Sequence, residues 1–124
     1  MYQNNIIVIK PSPIAGYGVF ARKQLPKGTP IAYFFGIEMS PKDIRLKYGN
    51  YRNCLRRPFR KWICSRELPH IINFVNGVGF GKSADMQPNV MIKERWLLPT
   101  RDIKQGEELL LKFPKGYFKD LNLE

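Results

Sequence analysis

The sequence predicts a single, mainly β domain with minor helix, and three observations carry that expectation. Turn-forming residues punctuate the chain about every 8–12 residues, at Pro11-Ser12-Pro13, Gly16, Gly18, Pro26-Lys27-Gly28, Gly36, Gly49-Asn50, Pro58, Pro69, Gly77 to Gly81, Pro88, Gly106 and Pro114. Between them lie short runs of β-branched and aromatic residues, which suit a pleated, half-buried surface. Helix-forming stretches are few. The 124 residues are one domain's worth. With 44% hydrophobic and 13% aromatic residues, a chain of this size removes roughly two-thirds of its extended surface from water on folding.

In chain order, Ile6-Ile7-Val8-Ile9 reads as a strand, as do Val19-Phe20-Ala21 and Ile31 to Phe35. Ser40-Pro41-Lys42-Asp43 opens a helix, with Ser40 as cap and Pro41 in the first turn. That helix runs to about Tyr48 and stops at Gly49. Tyr51 to Leu55 and Lys61 to Cys64 pair as a hairpin through Arg56 to Arg60. A second short helix covers Leu68 to Phe74, and Val90 to Leu98 and Glu108 to Phe113 are later strands.

Charge narrows the partners. Lysine and arginine number 21 against 10 acids, a formal charge of +11. Between Lys42 and Arg66 the one acid is Asp43, while Arg52, Arg56, Arg57, Arg60 and Lys61 crowd the hairpin beside Tyr51, Phe59 and Trp62. Clustered cations interleaved with aromatics point to an anionic partner: nucleic acid, a nucleoprotein such as a nucleosome, or an acidic protein face. No apolar run approaches the ~18 residues that span a membrane. Met1 to Asn5 lacks the charged start and apolar stretch of a signal peptide. The expectation is an intracellular protein, nuclear if directed to chromatin. Cys54 and Cys64 flank the hairpin tip, and the reading favours two reduced thiols over a disulfide. With His70 the one histidine, a structural zinc site is not expected.

Four segments, in order, resemble the SET domain family of protein-lysine methyltransferases. Ser12 to Ala21, with Leu25-Pro26-Lys27-Gly28 and Ile31 to Gly36, is similar to the family's glycine-aromatic-glycine turn, "VFA" strand and "KG" turn. Tyr51 to Leu55 with Ile63-Cys64-Ser65-Arg66 resembles its "I-D-A-R" hairpin. Ile72-Asn73-Phe74-Val75-Asn76 with Pro88-Asn89 is similar to "R-F-I-N-H-S-C-x-P-N". Pro99 to Leu109 is close to "A-T-R-D-I-x-x-G-E-E-L". The match spans residues 6 to 118 of one domain, 1–124.

The resemblance implies a β-clip-like fold of several small sheets, with the C-terminal segment threaded beneath a loop. It implies S-adenosylmethionine as cofactor and no metal. The donor would be held by Gly16, Tyr17, Gly18, Asn76 and Gly77 and covered by Tyr117 or Phe118. Phe34 and Phe113 would line the lysine channel. The implied substrate is a lysine-bearing protein tail, such as a histone's. Compact viral members of the family suggest a homodimer.

The sequence departs from the family at three places. Asn76-Gly77-Val78 stands where the family has asparagine-histidine-serine. Gly77 to Gln87 forms an inserted loop. Phe113-Pro114 replaces the tyrosine and glycine of the C-terminal motif. A lysine ammonium, with pKa near 10.4, must lose its proton before attacking a methyl group. A missing preorganised hydroxyl typically costs on the order of 10²–10³ in rate. Tyr51, Tyr33 and Tyr117 are the candidates to replace it. Two readings therefore stand: a lysine methyltransferase, and a non-catalytic binding module on the same fold that uses its basic face. Asn76 to Ser83 also approaches a P-loop, but Asn76 occupies a required glycine position.

Overall fold

The computed structural model describes residues 4–59, 61–79 and 83–112. Strands β1 (Ile7–Pro11) and β2 (Tyr17–Ala21) form an antiparallel ribbon, with Ile7 opposite Ala21 and Pro11 opposite Tyr17. Ile7 and Ile9 alternate into the core, while β2 is buried from Gly18 to Ala21. Two-sided burial follows from the isolated bridge between Phe20 and Glu108 and the bond from Leu109 N to Val19 O (2.7 Å), which lay the later chain along β2.

Next come β3 (Ala32–Tyr33), β4 (Ile37–Met39) and helix α1 (Pro41–Tyr48). The helix has the boundaries its sequence signals predict. Ser40 Oγ accepts from Asp43 N at 3.1 Å, and Gly49 adopts φ +76° while donating to Arg45 O. Ile44 is its buried residue.

The hairpin β5 (Cys54–Arg57) and β6 (Lys61–Cys64) joins β4 in a three-stranded sheet, order β4-β6-β5. Its helix-facing side forms a second small core of Ile44, Cys54 and Cys64, with Met39, Tyr48, Tyr51 and Trp62 packed against it. Register places Cys54 directly opposite Cys64, Cα atoms 4.1 Å apart, and the two form a disulfide. This corrects the expectation of two reduced thiols. Residue spacing brackets a hairpin tip, whereas only the register brings two particular sulfurs face to face.

A 3-10 helix (Ile71–Phe74) replaces the expected helix over 68–74, and β7 (Asn76–Val78) follows. The expected strand over 90–98 is instead two, β8 (Val90–Lys93) and β9 (Trp96–Pro99), paired antiparallel. Glu94 and Arg95 make the turn at φ +49° and +77°. Tight two-residue hairpins require such angles, but the usual Asn-Gly signal is missing here. The last described strand, β10 (Leu110–Lys112), enters the middle of a five-stranded sheet, order β3-β9-β8-β10-β7, and runs parallel to both neighbours. The main core, including Ile7, Val19, Leu25, Leu97, Ile103 and Leu109, lies where this sheet meets the β1–β2 ribbon. A mainly β chain is what the sequence predicts, and several small sheets are what the resemblance implies. No helix among the described residues is long and apolar enough to cross a membrane.

Candidate cofactor and substrate site

The glycine turn between β1 and β2 is shaped by two glycines with different needs. Gly16 has φ +44°, a conformation that side-chain-bearing residues rarely adopt, and space around it is open. Gly18 answers a close approach: a Cβ there would collide with the Glu108 carboxylate. That carboxylate accepts the Ser12 hydroxyl at 2.8 and 2.9 Å. Asn76, opening β7, reaches into the same place. Its Nδ2 lies 3.1 Å from Ala15 O, 3.1 Å from Tyr17 O and 2.7 Å from Glu108 Oε2. An amide NH₂ has two hydrogens, so three acceptors converge on two donors.

β7 is an edge strand. One side of its backbone pairs with β10, Leu110 opposite Asn76 and Leu111 opposite Gly77; no strand among the described residues pairs with the other side. The register of β10 is set by Asn89, 2% exposed, whose Nδ2 donates to Glu108 O (2.8 Å) and whose Oδ1 accepts from Leu110 N (2.7 Å). Pro88-Asn89 thus holds the strand that carries Glu108's neighbours. The run Pro99 to Leu109 clamps the same strand to the first motif. Lys27 N donates to Asp102 Oδ1 (2.8 Å), Ile103 bridges Leu25, and Gly106 N donates to Ala21 O (2.8 Å). Arg101 pairs with Glu107 at 2.9 Å, and its hydrogen bond holds the Glu107 carboxyl below the usual carboxylate range.

Phe34 is buried and its backbone is gripped by the β8–β9 turn: Phe34 N donates to Arg95 O, and Arg95 Nε donates to Phe34 O at 2.9 Å. The Arg95 guanidinium also lies over the Tyr33 ring, 4.7 Å from its centroid. His70, 3% exposed, stacks on Phe35 (4.3 Å) and tilts against Phe34 (5.7 Å). Its Nδ1 faces Ile72 N at 3.3 Å, capping the 3-10 helix, and its Nε2 faces Phe35 N at 3.2 Å. Burial pushes the imidazole pKa down, opposed by a hydrogen bond with the Tyr33 backbone.

The structure brings Gly16, Tyr17, Gly18, Asn76 and Gly77 to one junction. Tyr17 is exposed there. Tyr51 lies in the second core, stacked on Trp62 (4.6 Å, 23°), with its hydroxyl accepting from Arg45 Nη1 at 3.0 Å. Tyr33 packs edge-on against Trp96. Arg52 and Arg56 are exposed, Arg57 is half-buried, and Lys61 meets Glu38 at 3.4 Å. Phe113, Tyr117, Phe118 and Arg60 lie outside the described residues, as does part of the loop 77–87. The P-loop-like run begins as strand β7 rather than as a loop.

With this geometry in view, one solved structure is informative. The methyltransferase domain of human PR domain-containing protein 2 superposes with a TM-score of 0.65 at 20% identity, covering 90% of this chain and 79% of that one. The chain carries that domain's fold. Its several small sheets are consistent with the SET-like fold that the four sequence segments imply. No family model matches the sequence, and no curated protein does. Among the described residues no group of three or more His, Cys, Asp or Glu is placed to hold a metal ion.

Sequence reasoning assigned no role to Ser12, Glu108, Asn89 or Arg95. Ser12, Glu108 and Asn89 stand inside segments that resemble the SET family, and that was their only signal. Ser12 and Glu108 are 96 residues apart, so no local pattern links them.

Proposed function

We propose that this chain is an S-adenosylmethionine-dependent protein-lysine methyltransferase acting on a basic, lysine-bearing tail. The observation that carries the reading is the acceptor cluster at the glycine turn. Ala15 O, Tyr17 O and Glu108 Oε2 converge on the two hydrogens of Asn76 Nδ2, leaving acceptor capacity for a further cationic donor. An amino-acid ammonium fits that demand. The open edge of β7 at Gly77 offers backbone groups to a purine. The glycine turn and Asn76 would hold the cofactor, with Tyr17 beside it. When bound, the cofactor supplies a sulfonium methyl group to an amine nucleophile.

Phe34, held by Arg95, supplies a rigid apolar wall. Positioning carries much of the rate in an in-line displacement. An apolar wall also favours the neutral amine over the ammonium, because burial disfavours charge. Phe113 carries no hydroxyl to orient that amine.

Calorimetric titration with S-adenosylmethionine tests the reading. Binding is expected, with loss on Asn76→Ala. No heat at millimolar cofactor overturns the enzyme reading. A radiolabelled methyl assay on histones and on the chain itself then tests transfer. Cofactor binding without transfer favours the second reading, a non-catalytic module, which rests on Phe113 and on Gly77-Val78 replacing the family's polar residues.

A further inference from the structure

The β5–β6 hairpin ends in Arg56-Arg57-Pro58-Phe59. Strand alternation sends Arg56 out on the face shared with Cys54 and Trp62, and sends Arg57 and Lys61 out on the opposite face. The ribbon therefore carries cations on both faces. Arg56 and Arg57 have no acidic partner among the described residues. Lys61 has one, Glu38, through a contact exposed on both sides. Phe59 is 93% exposed and adopts φ +64°. A bulky side chain avoids that conformation. Glycine or asparagine would make the turn with less strain, and packing gains almost nothing from the ring. Neither folding nor solubility explains a phenylalanine there.

We propose that this hairpin binds double-stranded DNA, entering a groove tip first. The major groove, about 12 Å wide, admits a two-stranded ribbon. Arg56 on one face, and Arg57 with Lys61 on the other, then meet the phosphates of the two groove walls. Phe59 reaches the base edges, where an apolar side chain contacts the thymine methyl group. The α1 side and the Cys54–Cys64 disulfide hold the ribbon's base, so the tip is presented as a preformed element. The inference goes beyond methyl transfer and does not depend on it.

The test is fluorescence anisotropy of the full chain with a labelled duplex across a salt series, with no methyl donor present. Affinity should fall linearly with salt on a log–log plot. The double variant Arg56→Ala/Arg57→Ala should reduce that slope by about 1.8, at roughly 0.9 per phosphate contact. Phe59→Gly should weaken binding about tenfold without changing the slope, because it removes an apolar base contact and no charge, and should leave the melting temperature at or above that of the parent. An unchanged slope in the arginine variant overturns the proposal, as does parental affinity of Phe59→Gly or a fall in its melting temperature. Equal affinity for single-stranded DNA of the same length rules out the groove. Equal affinity for polyglutamate, or for phosphatidylserine vesicles, assigns the surface to a different partner and equally overturns it.

Discussion

The glycine-turn junction and the β5–β6 hairpin are built on opposite principles. At the junction, segments far apart in sequence are knotted by polar side chains. Asn76, Glu108 and Ser12 join three segments, and Asn89 bonds the backbone on both sides of Leu109. In the hairpin, the strands are 10 residues apart at the bridged cysteines, and a local turn, register, a disulfide and one apolar face on α1 suffice. The comparison teaches where each region can tolerate change. A knot of buried and part-buried hydrogen bonds fails as a unit, because each lost partner strands another polar group. A hairpin stapled at its base leaves its tip free to carry charge and an exposed aromatic.

The largest expected effect falls on the knot. Asn89→Ala removes the partners of Glu108 O and Leu110 N and should cost about 3 kcal/mol in urea unfolding. A loss below about 1 kcal/mol would mean water replaces the amide and the knot is not a unit. On the hairpin, Cys54→Ser/Cys64→Ser should cost about 2–3 kcal/mol from the closed loop alone, while cofactor binding at the junction is retained. A loss of cofactor binding in that variant would show the two regions to be coupled. Gly18→Ala should cost about 1–3 kcal/mol, since the new methyl group must displace the Glu108 carboxylate. Gly16→Ala meets open space and should cost less, about 1–2 kcal/mol, from its positive φ.

A smaller effect should appear on acidification. His70 has a folded pKa below its unfolded value near 6.5, so the unfolded chain takes up the proton first. Stability is then fully present above about pH 6.5 and falls as pH drops through the folded pKa. The charged ring also has no lone pair left to cap Ile72 N. Urea midpoints from pH 7.5 to 5 should therefore decline in the parent and flatten in His70→Asn, after allowance for the variant's own baseline. The smallest effect belongs to Arg101→Ala. Its pair with Glu107 is largely exposed and should be worth about 0.5 kcal/mol, declining with salt.

Legibility in the sequence followed the range of the interaction. Helix α1 was readable to its ends because Ser40, Pro41 and Gly49 act within a turn of the residues they cap. The strand pattern was readable because alternation and turn residues are local. The β8–β9 turn was missed because Glu94 and Arg95 take left-handed angles that their residue types do not advertise. The short β4 and β7 were missed because two or three residues carry no period. At the site, the glycine turn and Asn76 were visible as motif residues, but the reason Gly18 must be glycine was not, since Glu108 lies 90 positions later in the chain.

By itself, the sequence determined a mainly β fold, a capped helix, a cationic hairpin and four ordered segments that resemble the SET family. All of these rest on forces acting between near neighbours or on composition. Tertiary structure decided which strand enters the middle of the five-stranded sheet, that Cys54 meets Cys64, and that Asn76, Glu108 and Ser12 share one set of hydrogen bonds. Those outcomes depend on register and on the burial of polar groups across long loops. A one-residue slip would send each side chain to the other face, and only the packed core selects among the alternatives.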